Sequence, residues 1–128
     1  MTPAENMKAA LEKAREKMTS AANDVLAERE RQQSAEGWTA DHDAGEHQDG
    51  DLARAAACYA VSATCADENQ LVFGGHPVIS RLWPWDFSWW KRSTPRRDLV
   101  KAGALILAEI ERMDREALAA IREALGET

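Results

Sequence analysis

Residues 94–126 read TPRRDLVKAGALILAEIERMDREALAAIREALG, and this stretch decides the fold. Apolar side chains recur at Leu99, Ala102, Ile106, Ile110, Met113, Ala117, Ile121 and Ala124, the three-and-four spacing of one helix face. Thr94 is placed to cap. Pro95 takes the first helical position, where its missing N–H costs nothing, and Gly126 ends the helix. Upstream, the chain repeats the same signals. Thr2 and Pro3 open a helix, and Ala4, Met7, Leu11, Ala14, Met18, Ala21 and Val25 form a narrow heptad seam. Such a seam serves either as a brace on the protein's own body or as a coiled-coil contact between protomers. Thr19-Ser20 breaks this helix, and a second segment runs from about Ala21 to Ala35 with Gly37 as its stop.

Between the second and last helices lie three different textures. Residues 36–51, EGWTADHDAGEHQDGD, form an acidic loop without Lys or Arg. A helix follows, capped near Asp49 or Asp51 and covering LARAAACYAVSATCA; it is apolar almost all round, as a buried central helix is. Cys58 and Cys65, ~10 Å apart along such a helix, cannot bridge each other and read as small core residues. Residues 67–94 are irregular, with LVF and VIS placed to pair as a short hairpin around Gly74-Gly75. The fold class expected is mainly α: a single domain over 1–128, with three to four helices, a Trp-rich irregular segment and one short hairpin. Residues 1–20 form its N-terminal helix and oligomerisation arm, and 21–128 its helical body.

Composition narrows the function classes. Alanine outnumbers the four prolines and seven glycines together, which favours helix over sheet. Two cysteines make no disulfide scaffold and fit a reducing cytosol. The opening MTPAENMKAALEKAREKM lacks the apolar region of a secretory leader. Mean hydropathy is -0.51 and no apolar run approaches the ~20 residues that span a bilayer, so no membrane association is expected. A net charge of -6 argues against general nucleic-acid binding, which needs a basic face.

Four of the five tryptophans, Trp83, Trp85, Trp89 and Trp90, fall together with Phe87. Around them six basic residues (Arg81, Lys91, Arg92, Arg96, Arg97, Lys101) meet only Asp86 and Asp98. Flat aromatic faces beside guanidinium groups suit a ligand with a ring to stack and phosphates to hold, and the last helix adds free N–H groups there. Core filling explains tryptophans equally well, and both readings stand at this point. In the acidic loop, Asp41, His42, Asp43, Glu46 and His47 have donor atoms that suit zinc or manganese but match no metal-binding spacing; they fit better a solvated loop or a lid on the basic stretch, with Asp41 and Asp43 able to accept from ribose hydroxyls. No phosphate-cradling glycine loop and no serine or cysteine nucleophile signature is present.

Three resemblances follow from these blocks. ERERQQSAEGWTADHD, HPVISRLWPWDFSWWK and PRRDLVKAGALIL resemble, in order, the elements of ryanodine-receptor-type repeat (RyR) domains, with Arg31, Gly37-Trp38, Asp41, Asp43, Pro84-Trp85 and Arg97-Asp98 in the corresponding places. The chain after residue 24 is also similar to a family of small proteins of tailed phages and prophages, which implies a phage origin and residence in the host bacterial cytoplasm. More weakly, ERERQ and LVKAGALILAEIERMDR look like MazG-like all-α nucleotide pyrophosphohydrolases. Those hold magnesium with clustered carboxylates, whereas DLARAAACYA here carries only Asp51. The expected function is therefore a non-enzymatic, phage-encoded binder that sequesters a nucleotide-derived signal of antiphage immunity. A protein–protein adaptor that inhibits a host factor and a degenerate pyrophosphohydrolase are the alternatives. The expected ligand-binding set is Arg31, Trp38, Asp43, Tyr59, Trp85, Trp89, Trp90, Lys91, Arg96 and Arg97, with no catalytic residue, metal or cofactor. The expected partners are that nucleotide-like ligand and further copies of the chain, as a homodimer or higher oligomer.

Overall fold

The computed structural model describes residues 1–35, 50–65, 72–73 and 76–126. Most of the acidic loop, including Trp38 and Asp43, lies outside the described residues, as do Gly74 and Gly75. Four long helices carry the fold: α1 (Pro3–Glu16), α2 (Ser20–Ala35), α3 (Asp51–Ser62) and α5 (Pro95–Ala124). Between α3 and α5 come β1 (Val72–Phe73), β2 (His76–Pro77), the short α4 (Val78–Leu82) and a single 3₁₀ turn, Phe87–Trp89. The domain is mainly α, as its periodicity requires. Among the described residues no helix is long and apolar enough to cross a membrane.

Helix ends follow local chemistry. Thr2 and Glu5 form a reciprocal capping box, with Glu5 N donating to Thr2 Oγ1 at 3.1 Å and Thr2 N to Glu5 Oε2 at 2.8 Å. Thr19 accepts from Ala22 N and restarts the chain as α2. Thr94 accepts from Arg97 N, Pro95 opens α5, and Gly126 at φ +77° follows its end. The start of α3 differs from the aspartate cap that the sequence suggests. Gly50 occupies the cap position at φ +81° with no side-chain hydrogen bond, and Asp51 stands inside the first turn. There Asp51 pairs with Arg54 one turn on, at 2.5 Å, so its carboxylate faces a cation rather than the helix N–H groups.

The hairpin also differs in register. Val72 pairs with Pro77 and Phe73 with His76, while Val78-Ile79-Ser80, expected as its second strand, open α4. Pro77 has no N–H to extend a ladder, and Ile79 is needed in the core, where it is buried.

The core forms where α3 lies along α5. Leu52, Ala55, Ala56, Cys58 and Tyr59 from α3 pack with Ala102, Leu105 and Ala108 from α5, closed by Ile79 and Trp83. The central-helix reading of α3 holds, and Cys58 is a core residue; Cys65 is only partly buried. Burial pushes the Cys58 thiol up to about 11, so it stays protonated near neutrality. Helix α2 crosses α5 at Gly103, where an added methyl group would sit 3.1 Å from Val25 Cγ2 and would need that side chain to shift by a few tenths of an ångström. Helix α1 buries no residue, and the seam positions on it, Ala4 to Ala14, face water, whereas Met18 and Val25 beyond its end are half-buried, Val25 against Gly103.

Adjacent residues of α5 report the face that matters. Leu105 is 1% exposed and Ile106 is 48% exposed. We expect Leu105→Ala to cost about 2–5 kcal/mol in urea unfolding and Ile106→Ala less than about 1 kcal/mol.

Candidate functional site

The tryptophan segment is first of all a packed aromatic cluster. Trp83 is buried and meets Tyr59, Trp85 and Trp90 edge-on at 5.7, 5.2 and 5.1 Å, while Trp90 stacks on Tyr59 at 4.7 Å. Polar handles are satisfied locally: Trp83 Nε1 donates to the Asp86 carbonyl, and Lys91 N donates to the Tyr59 hydroxyl. Lys101 lies 5.3 Å over the Tyr59 ring and donates to the Lys91 carbonyl at 2.7 Å. Burial pulls the Lys101 ammonium below its ordinary pKa, and neighbouring Asp98 opposes that shift. Of the sequence-named aromatics, Tyr59 and Trp90 are thus tied into the cluster. Trp85 is half-buried, and Trp89 is 48% exposed at the rim.

The centre of the site is a residue that the sequence reading did not single out. Glu28 on α2 is buried, and its carboxylate accepts both Nε and Nη2 of Arg31, at 2.7 and 2.8 Å. It also accepts from Gln32 Nε2 at 3.1 Å and from Arg97 of α5. Burial alone raises a carboxyl pKa, but the two guanidinium groups outweigh it and hold Glu28 below the usual carboxylate range. The legible signal was an acid and a base three apart in ERER, on the face of α2 turned to the body. Gln32 is buried as well, and its Oε1 finds no donor among the described residues. Its orientation is set, because Nε2 is the end that must face the Glu28 carboxylate.

Two clefts meet at Glu28 and Arg31. One, about 290 Å³, is lined by Asp24, Ala27, Thr94, Arg96, Arg97 and Val100 as well. The other, about 40 Å³, is walled by Gln32, Tyr59, Trp83, Trp85, Trp89, Lys91, Lys101 and Leu105. The larger lies near the lower bound for small-molecule sites, and the smaller admits little more than water. Together their walls hold five basic side chains and two carboxylates, a cationic locality in a chain of net charge -6. Arg96 pairs with Asp24 at 2.8 Å across the mouth of the larger cleft. The structure therefore gathers Arg31, Tyr59, Trp85, Trp89, Lys91, Arg96 and Arg97 around one locality, with Trp90 directly behind Tyr59.

Arg92 does other work. It donates to Ser62 Oγ at 2.8 Å and to the carbonyls of Ser62 and Cys65, where α3 ends. Buried Asp98 accepts from Ser62 Oγ and Ser93 N, at 3.0 and 2.8 Å. This network anchors the chain entering α5. Among the described residues, no three His, Cys, Asp or Glu side chains come together as metal ligands.

The sign of the Glu28 shift sets a pH dependence. A lowered folded pKa contributes stability that is complete above the ordinary carboxylate range and is lost as pH falls through the folded value, below 4.5. We expect Glu28→Gln to cost about 1–3 kcal/mol at pH 7, the partners being partly exposed, and to flatten the acid limb of stability measured by urea unfolding. No protein-family model, no curated protein and no solved structure matches this chain.

Proposed function

We propose that this protein binds a small, phosphate-bearing planar ligand, without turning it over, where the arginine cleft and the aromatic cleft meet. The observation that carries this reading is the pairing of Glu28 with Arg31 and Arg97, which holds two guanidinium groups around a cleft of about 290 Å³ beside exposed tryptophan surface. Preorganised guanidinium forks cost little ordering entropy when a phosphate arrives. Thr94 and the first turn of α5 line the same cleft, adding N–H dipole to side-chain charge. Trp89 and Trp85 offer ring faces at the edge of the smaller cleft, and Gln32 Oε1 there seeks an N–H or O–H donor. A nucleotide carries all three features: phosphate, ring and exocyclic donor.

The finer reading is a phage-encoded sink for a nucleotide-derived signal of antiphage immunity, active in the bacterial cytoplasm. It rests on the resemblance to tailed-phage proteins and RyR domains. Sequestration needs affinity and stoichiometry, with no chemistry. The adaptor alternative draws on Phe87 and Trp89, 57% and 48% exposed on the 3₁₀ turn, since exposed aromatics anchor protein interfaces.

Titration of tryptophan fluorescence with nucleoside mono-, di- and triphosphates, cyclic dinucleotides and inorganic phosphate tests the proposal. We expect saturable binding of at least one nucleotide class and no product after incubation with Mg²⁺ or Mn²⁺. Trp89→Ala and Arg96→Ala, both at exposed positions, should each weaken it roughly ten- to a hundred-fold with the circular dichroism spectrum unchanged. Arg97→Ala and Trp90→Ala should lose binding too, but with lower stability, because these side chains also tie Glu28 and Tyr59. Absence of binding to every class at millimolar concentration would favour the adaptor.

A further inference from the structure

Gln32 is held by one end only. It is 3% exposed, and its Nε2 donates to Glu28 Oε2 at 3.1 Å. A side-chain amide carries two N–H donors and one carbonyl acceptor, so fixing Nε2 on the carboxylate leaves Oε1 as the acceptor end. That oxygen is buried and has no donor among the described residues. A buried acceptor without a donor destabilises a fold, and where one persists it calls for an explanation in function or in an occupant.

Gln32 lines the smaller cleft, whose volume of about 40 Å³ takes one group the size of a water molecule. The other polar groups there are donors or are already engaged. Arg31, Lys91 and Lys101 only donate, and Lys101 Nζ is turned to the Lys91 carbonyl at 2.7 Å. The Glu28 carboxylate receives Arg31, Gln32 and Arg97, and the Tyr59 hydroxyl accepts from Lys91 N. Among the described residues, Gln32 Oε1 is the buried acceptor left over for an occupant.

Size and polarity together select that occupant. A ring N–H cannot enter a space of one water unless the ring follows it. An exocyclic amino group projects beyond its ring, is about as large as water, and donates. Trp89, 48% exposed at the rim, gives the ring behind it a face to stack on. The two clefts share Glu28 and Arg31, so phosphates in the larger are joined to a base at the smaller by one short path.

Building on the nucleotide reading above, we propose that Gln32 is the specificity residue of the site and selects a base with an exocyclic amino group. Adenine, cytosine and guanine have one; hypoxanthine and uracil do not. No solvent touches Oε1 as the side chain stands, and a turn of the amide about its bond to Glu28 presents the oxygen to the amine without breaking that bond. A base with a carbonyl in place of the amine sets acceptor against acceptor, which rejects it.

Calorimetric titration of the full chain with AMP and IMP, GMP and IMP, and CMP and UMP tests this. In at least one pair the amino member should bind ten- to a hundred-fold more tightly. Gln32→Met should bring that ratio to about one, chiefly by weakening the amino member. A merely structural Gln32 would weaken both members alike and keep the ratio, which would overturn the inference. Should Gln32→Met fail to fold, the wild-type ratios decide by themselves. Equal affinities within all three pairs would sink the selectivity and leave nucleotide binding standing. No binding by any of the five would remove this inference too, and titration with the other nucleotide classes then decides the reading beneath it.

Discussion

How closely α5 lets its neighbours approach governs the rest of the molecule. Its buried face is built from Ala102, Ala104, Leu105 and Ala108, opposite Ala55, Ala56 and Cys58 of α3, and Gly103 admits Val25 of α2. Small side chains bring helix backbones together but remove little apolar area from water, at ~25 cal/mol per Å². The bulk needed to close the core must come from elsewhere, and Trp83 supplies it, with Tyr59 and Trp90 behind. The tryptophan segment is therefore structural before it is anything else. That role explains why the aromatic cleft is shallow: its inner walls are already in contact with one another.

Two buried carboxylates fix how this segment enters α5. Asp98 gathers Ser62 Oγ and Ser93 N, and Glu28 gathers Arg31, Gln32 and Arg97. Burying a charge is costly unless donors surround it, and here each carboxylate has several. The consequence for binding is an ordering among the cations. Arg31 and Arg97 share the charge of Glu28, so a phosphate bound as proposed would have to compete with a carboxylate for them. Arg96 faces the half-buried Asp24, and the exposed Lys91 adds charge at the other cleft. In the proposed binding these two cations would contribute most per unit of reorganisation, while Arg31 and Arg97 would contribute geometry.

The helices were legible because their signals are local. Thr2-Pro3, Thr94-Pro95 and Gly126 act within one turn, and the apolar content of α3 reports its burial; in α5 the spacing marks the helix but not its buried face, since Leu99, Ile106, Ile110 and Met113 are exposed while Val100, Leu105 and Ala108 are buried. What escaped depends on tertiary pairing. Asp51 has the chemistry of a cap, yet Arg54 on the same helix draws it away, leaving Gly50 at the cap position. Val78-Ile79 have strand-forming side chains, yet the core's need for Ile79 and the proline before them make a helix. Within the site, the basic tryptophan stretch could be located from composition alone. Glu28 could not, because an acid in ERER reads as solvated charge until α5 brings Arg97 to it across 69 residues. Trp38 and Asp43, named on the resemblance, lie outside the described residues.

A 30-residue helix is about 45 Å long, more than a domain of this size needs to close its core. Successive residues turn by about 100°, so α5 presents distinct faces along that length. One, through Leu105 and Ala108, is taken by α3; a second, through Val100 and Gly103, is taken by α2. The third carries Leu99, Ile106, Ile110, Met113, Ala117 and Ile121 without a charged residue among them, and its large members are about half exposed. A surface helix with no role there gains solubility from charge at such positions, and the faces of α5 that carry Glu116 and Arg122 show that the chain places charge freely. The arginine cleft lies at the first turn and the free stripe extends to the last. The stripe begins beside that cleft at Leu99, and only its far half, from Met113 on, lies about 20 Å beyond Val100 along the rod.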